Sequence, residues 1–385
     1  LIYLDNAAST PVHAKVIEEM MPYFKEQYGN PSSIHKYGRF ANSAIQNARR
    51  RIANLIGADS DEILLTSGGT ESNNTALYGI VSQKNEKHII TSSIEHDAIL
   101  EPYKHLEKEG YKVCYLPVDK YGLVDPEDLK KELLQDTCLV SIMFANNEVG
   151  TIQPIKEMVR ITHEKNIIFH TDAVQAIGKV VIDVKELGVD LLSMSSHKIN
   201  GPKGVGALYI RKGVKISPLI LGGGQESGLR SGTENVASIV GFGMACKLAR
   251  DNLDQNISHF KKLTNRLVSR VLSEIPHANH NGHPEKRIPN NAHFTFLGVN
   301  GEDLIIKLDE NKIAASTGSA CSVRIQKASH VLKAMDFSHE QITGSLRITV
   351  GITNTEQEID ETVEVLKKVV KELRAVSPYK SKYNL

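Results

Sequence analysis

A run of alternating segments limits this chain more than any other feature. Between residues 62 and 210, seven short apolar stretches are separated mostly by helix-length segments: Glu62 to Thr66, His88 to Thr91, Val113 to Val118, Leu139 to Phe144, Ile167 to His170, Val189 to Met194 and Val205 to Ile210. The intervening segments carry helix signals. Asp125-Pro126-Glu127-Asp128, for example, supplies an N-cap, a first-position proline and first-turn acids ahead of Leu129, Leu133 and Leu134. Such alternation predicts a mainly parallel, doubly wound α/β sheet.

The flanks read differently. Asp5 to Pro11 is turn-forming and leads into a helix expected over 14–27, where Val16, Met20 and Phe24 recur at helical spacing. A longer polar helix follows, with Ala41, Ala44, Ile45, Ala48, Ile52 and Leu55 on one face and Gly57 as its stop. Beyond Gly222-Gly223-Gly224, a helical region from Asn235 to about Ile275 reads as a connector. A small α+β unit follows, with strands at His293 to Phe296 and Ser345 to Val350. Its last helix opens on the capping box Thr355-Glu356-Gln357-Glu358 and carries Ile359, Val363, Leu366 and Val370 on one face. The expected division is a large domain over 14–250 and a small domain made of 1–13 and 251–385.

With 385 residues, 41% hydrophobic and 24% charged, the chain has ordinary globular composition, and a net charge of +1 gives no electrostatic case for nucleic acid or an anionic membrane. No apolar segment is long enough to span a bilayer and no secretory signal is visible, so a cytoplasmic location is expected. Cys114, Cys138, Cys246 and Cys321 are scattered without a C-x-x-C pair, which argues against structural zinc; no metal site is expected. The first three lie in apolar runs and read as small buried hydrophobes. Cys321 sits instead in a Ser/Gly-rich stretch.

In an open α/β sheet, functional groups gather at the carboxyl ends of the strands. The run Val189 to Met194 ends in Ser195-Ser196-His197-Lys198 and a glycine-rich bend, which holds a lysine at a strand end. An amine used for a Schiff base is activated by desolvation or by nearby positive charge; a solvated turn lysine is the plain alternative. Ser67-Gly68-Gly69-Thr70-Glu71 opens a helix and offers amides and a hydroxyl to a phosphate, or simply starts the helix. His96 ends another strand and could stack or move protons, or be a satisfied histidine. Asp172 ends the strand one crossover before the one that delivers Lys198. A carboxylate there either pairs with the lysine or keeps a pyridine nitrogen protonated, the electron-sink arrangement of a pyridoxal phosphate enzyme.

Taken together, these stretches resemble the cysteine desulfurases of the IscS/NifS type, fold-type-I pyridoxal phosphate enzymes with a large and a small domain, over nearly the whole chain. The resemblance rests on Tyr3-Leu4-Asp5-Asn6-Ala7-Ala8, Gly29-Asn30-Pro31-Ser32-Ser33, Thr66 to Asn74, Asn146-Asn147-Glu148-Val149-Gly150, Ser195 to Lys198, Gly222 to Glu226, Arg230 to Thr233 and Ser316 to Cys321. It implies that Lys198 binds the cofactor covalently, that Asp172 meets the pyridinium nitrogen and Gln175 the ring oxygen, and that His96 stacks on the ring and moves protons. Gly69, Thr70, Ser195 and His197 would hold the phosphate. Thr233 of a neighbouring subunit would complete that site in a homodimer. Asn147 would lie near ring and substrate, and Arg347 would clamp the carboxylate of L-cysteine.

The implied reaction starts as L-cysteine displaces Lys198 from the cofactor aldehyde and the freed amine takes the α-proton. Cys321 thiolate then attacks the substrate sulfur, leaving a persulfide and releasing alanine; an iron–sulfur scaffold or other acceptor receives the sulfur. Two departures stand out. The family often has Ala where Gly69 stands, and Ser322 to Ala328 lacks the usual polar Ser/Glu/Pro character. The alternatives are a selenocysteine lyase or another lyase or aminotransferase on the same fold, or mainly a sulfur-relay docking protein. A dinucleotide enzyme is disfavoured because no G-x-G-x-x-G follows the first strand.

Overall fold

All seven apolar runs pair into one sheet. In the computed structural model, which describes residues 1–318 and 328–379, they form β1 (Ile63–Thr66), β2 (His88–Ser92), β3 (Lys112–Leu116), β4 (Thr137–Ser141), β5 (Ile168–Asp172), β6 (Leu191–Ser195) and β7 (Gly206–Ile210). Their spatial order is β1-β7-β6-β5-β4-β2-β3. Every pairing is parallel except the two made by β7, which runs antiparallel to β1 and β6. Neighbouring residues on a strand enter different cores: Leu65, Ile90, Val140 and Leu192 join one apolar cluster, while Leu64, Ile89, Leu139 and Leu191 join another. Period-2 alternation with both faces covered is why these strands read as continuous apolar runs.

Helices α1 (Lys36–Leu55), α2 (Gly69–Val81) and α3 (Asp97–Lys108) contribute to those faces. Ala41, Ile45, Ala48 and Ile52 of α1 are buried as the sequence stripe requires. The helix expected over 14–27 is two pieces, Ala14–Met20 and Pro22–Lys25, because Pro22 has no N–H to continue the ladder. Phe24 is consequently not a core residue and is 61% exposed.

The connector is also two helices, α4 (Val236–Asp251) and α5 (Leu253–Glu274), broken at Asn252. Ile239, Phe242 and Cys246 of α4 belong to the core of the seven-stranded sheet. Phe260, Leu263 and Val271 of α5 belong to a separate apolar cluster with Ile2 and Leu4 of the N-terminal arm.

That second cluster lies on a three-stranded antiparallel sheet of β8 (Ala278–Asn281), β9 (Asn291–Phe296) and β10 (Ser345–Thr349), ordered β10-β9-β8. It is covered by α6 (Glu356–Ala375), whose capping box forms as read: Glu358 N–H donates to Thr355 Oγ1 at 3.2 Å and Thr355 N–H to Glu358 Oε2 at 2.9 Å. A cap of this kind contributes about 1 kcal/mol. Among the described residues, no helix is long and apolar enough to cross a membrane.

Candidate active site

The sheet order reverses between β2 and β4, since β3 lies outside β2 and the chain then returns to the other side. Ligands bind at such a reversal, outside the carboxyl ends of the strands. His96 follows β2, Asn147 follows β4, Asp172 ends β5, Ser195 ends β6, and His197 and Lys198 follow it.

Asp172 is buried and held in place from two sides. Asn73 Nδ2 donates to its Oδ2 at 2.7 Å and the Val174 amide to its Oδ1 at 2.9 Å. Asn73 has no assigned role in the sequence reading; its signal is its position four residues after Gly69, on the face of α2 turned to the sheet. Gln175, three residues past Asp172, donates from Nε2 to Ala7 O at 3.0 Å.

Lys198 ends a short 3-10 turn, Ser196–Lys198, and its ammonium donates to Ala7 O at 2.5 Å and Ala8 O at 2.9 Å. The N-terminal arm is strapped across this turn: the Thr10 amide and hydroxyl both donate to His197 O, at 2.9 and 2.8 Å, and the Asn200 amide donates to Thr10 Oγ1 at 2.8 Å. His197 is neutral near pH 7, its ring pulled down to about 4 by burial and then by the charges of Lys198, Lys203 and Lys179. His96 caps α3: its Nδ1 accepts from the Ala98 amide at 3.0 Å, so the proton of the neutral ring sits on Nε2.

Gly69 and Thr70 are the first two residues of α2, whose leading N–H groups have no partner within the helix. The preceding turn lies flat on β7. A Cβ on Gly206 would come within 2.7 Å of the Gly68 backbone, so only glycine allows that approach. Gly69 has its own neighbour: a Cβ there would lie 2.8 Å from Val174 Cγ2.

Arg347 is delivered by β10 and is buried. It donates to Asp5 Oδ1 at 2.9 Å, Asn147 O at 2.9 Å and Gly318 O at 3.3 Å, while its Nε has no hydrogen-bond partner among the described residues. Thr233 is exposed and lines a cavity of about 260 Å³ with Thr66, Ser67 and Arg230 rather than joining the Lys198 cluster of its own chain. Cys321 lies outside the described residues.

A second lysine escaped the sequence reading. Lys179 is buried beside Gln175, donating to its backbone O at 3.0 Å and standing 3.5 Å from its Oε1. With Lys198 it lines a cavity of about 320 Å³ that, among the described residues, no acidic side chain lines. Burial, then the charges of Lys198 and Arg347, bring it down to about 7. Nothing in the local pattern Gly178-Lys179-Val180 marks it, because its burial is a product of tertiary packing.

This arrangement, a buried carboxylate and a strand-end lysine on neighbouring parallel strands beside a helix N-terminus, defines an α/β enzyme of the pyridoxal phosphate type. The profile of the family Aminotransferase class-V matches residues 2–362. The chain is 51% identical over 387 residues to a cysteine desulfurase IscS of Dictyoglomus turgidum (strain DSM 6724 / Z-1310), covering 100% of this chain and 98% of that one. Two solved structures are similar along nearly their whole length. A NifS-like protein has a TM-score of 0.91 and 42% identity, covering 96% of this chain and 99% of its own. SspA, solved in complex with cysteine, has a TM-score of 0.81 and 36% identity, covering 91% and 99%. The chain therefore belongs to the class-V aminotransferase family and, within it, to the cysteine desulfurases of the IscS type.

Pyridoxal 5′-phosphate, the cofactor of this family, suits the residues present. Asp172 is fixed at a strand end, Lys198 is an amine on the turn that follows the adjacent strand, and Gly69 and Thr70 open a helix toward the same edge. Buried Asn73 Oδ1 and Arg347 Nε have no hydrogen-bond partners among the described residues, as expected of polar atoms that await bound groups.

Proposed function

We propose that this chain removes sulfur from L-cysteine, giving L-alanine and a persulfide on Cys321 that is passed to an acceptor such as an iron–sulfur scaffold. The observation that carries the reading is Asp172 at the end and Lys198 just past the end of adjacent parallel strands, with Arg347 donating to Asn147 O on the loop that follows β4.

Asp172, Gln175, His96, Gly69, Thr70, Ser195, His197, Asn147 and Lys198 would hold pyridoxal phosphate, which when bound supplies an electron sink for the pair left by the α-proton. Arg347 binds the substrate carboxylate, exchanging part of its contact with Asp5 for a second anion. Lys198 Nζ takes the α-proton, and the carbonyls of Ala7 and Ala8 hold the ammonium that results. His96, with its proton on Nε2, is placed to donate to a developing anion.

The Cys321 thiolate then attacks the substrate sulfur. An S–S bond forms as the C–S bond breaks, the C–S pair stays with carbon, and one proton completes the methyl group of alanine. The other cysteines suit this work poorly: burial pushes the thiols of Cys114 and Cys138 up to about 11, and that of Cys246 well above its ordinary value.

A homodimer, in which Thr233 of one copy completes the phosphate site of the other, accounts for the position of Thr233 away from its own chain's site. Exposed Phe24, Tyr28, Ile34 and Tyr37 offer apolar surface that a second copy would cover. A cytoplasmic setting, without membrane or nucleic-acid contact, fits the balanced charge.

The test is product stoichiometry. With L-cysteine and an added thiol, alanine and sulfide should form one to one. Cys321→Ala should still change the cofactor spectrum on adding L-cysteine, yet lose at least ~10³-fold in sulfide release. Pyruvate or an amino-group transfer product in place of alanine would point to the lyase or aminotransferase alternatives.

A further inference from the structure

Glu148 belongs to the Asn146-Asn147-Glu148-Val149-Gly150 turn, yet its carboxylate does not build that turn. Asn146 does: its Oδ1 accepts from the amides of Glu148 at 2.8 Å and Val149 at 2.9 Å, and its backbone O accepts from Gly150 N–H at 3.1 Å. The Glu148 side chain is instead sent inward, 2% exposed, where a carboxylate is costly unless something meets it.

Two described residues meet it, and they flank the segment that carries Cys321. On one side, the Ser329 hydroxyl donates to Glu148 Oε2 at 2.6 Å. Ser329 is itself buried, and its oxygen caps the helix His330–Ala334 by accepting from the Leu332 amide at 3.1 Å. On the other side stands Gly318, with φ +95°; a Cβ there would lie 3.3 Å from both Cγ and Oε2 of Glu148, so the Glu148 side chain fills the space beside this glycine. Arg347 closes the same corner, donating to Gly318 O and to Asn147 O.

We propose that Glu148 is a positioning residue for sulfur transfer: its buried carboxylate holds Ser329 beside Gly318, while Arg347 holds Gly318 O, so that both ends of the Cys321 segment are fixed at the cleft. This inference rests on the reading of Cys321 as sulfur acceptor. Pinning both ends of a chain segment to one point raises the effective concentration of a group carried between them, and releasing an end lowers it. Glu148 therefore acts on the thiol step and leaves the cofactor-dependent steps alone.

The experiment uses holoenzyme and four variants: Glu148→Ala, Glu148→Gln, Ser329→Ala and Glu148→Ala/Ser329→Ala. Two rates are read after mixing with L-cysteine: the change of the cofactor spectrum, and persulfide formation on Cys321 by intact-protein mass spectrometry. Glu148→Ala should keep the first rate and its half-saturating cysteine concentration within ~2-fold and lower the second at least ~10-fold. Glu148→Gln, which still offers Ser329 an acceptor oxygen, should recover most of the loss. Ser329→Ala should slow persulfide formation alone and add nothing on top of Glu148→Ala.

Unchanged persulfide formation in both Glu148→Ala and Ser329→Ala would overturn the proposal, as would equal loss of both rates or a raised half-saturating concentration, which would mean the Arg347 corner had been disturbed instead. Should Glu148→Ala fail to fold, Ser329→Ala and Glu148→Gln decide by the same two rates. Cys321→Ala keeps the two readings apart: normal sulfide release from that variant removes Cys321 as acceptor, whatever the Glu148 variants do.

Discussion

Lys198 and Lys179 reach one cavity but differ in what surrounds them. The ammonium of Lys198 lies on two carbonyls of the N-terminal arm, whereas Lys179 is buried with Gln175 as its hydrogen-bond partner and is brought down from 10.5 to about 7. The depression has a definite sign in stability. Between about 7 and 10.5 the unfolded chain binds more protons at this lysine than the folded chain, so the stability of the folded state rises with pH across that window. From pH 7 to pH 9 this group alone should add roughly 2 kcal/mol. Urea unfolding of the cofactor-free protein should show that rise, and Lys179→Met should flatten it while being the more stable protein at pH 7. Parallel pH profiles for the two proteins would show that Lys179 is not buried as a strained cation. At this scale the sequence was informative where a residue lies at or just past a strand end, as with Asp172, Lys198 and His96. It was silent on Lys179 and Asn73, whose roles come from what lies across the fold.

The turn between β1 and α2 shows how elements adjust to one another. In isolation an Ala at the position of Gly69 looks harmless to a backbone phosphate contact. Here Val174, on the segment following β5, occupies the space a methyl group would need. Gly69 and Val174 are thus a small and large pair. Gly69→Ala should weaken cofactor binding several-fold, since the start of α2 has to shift, and Gly69→Ala/Val174→Ala should restore it. Titration of cofactor-free protein with pyridoxal phosphate measures both, and independent, additive effects would refute the pairing. Other element-level expectations succeeded or failed for local reasons. The capping box at Thr355 and the α1 stripe were legible because they depend on residues three or four apart. The break at Pro22 was written in the sequence but outweighed there by apolar spacing, and the break at Asn252 carries no comparable signal. The separation of α4 and α5 into different cores depends on which sheet each one meets.

For the whole molecule, the proposed homodimer would cover the exposed Ile34, 91% accessible, and Tyr28, 72% accessible. Ile34→Glu with Tyr28→Glu should shift sedimentation toward the monomer at micromolar concentration and speed loss of cofactor absorbance on dilution. A monomer that retains its cofactor fully would exclude a shared phosphate site. By itself the sequence determined the alternation of strands and helices, the covered sheet and the placing of Asp172 and Lys198 at strand ends, because apolar periodicity, caps and motif residues act over a few positions. Only the tertiary structure decided that Asn73 grips Asp172, that the N-terminal arm lies on Lys198 and His197, that Lys179 loses its solvent, and that Glu148 meets Gly318 and Ser329. Those contacts join residues from 99 to 191 positions apart in pairs such as Asn73 with Asp172 and Ala7 with Lys198. Pairings at such separation follow from strand order and sheet packing, which no local pattern encodes.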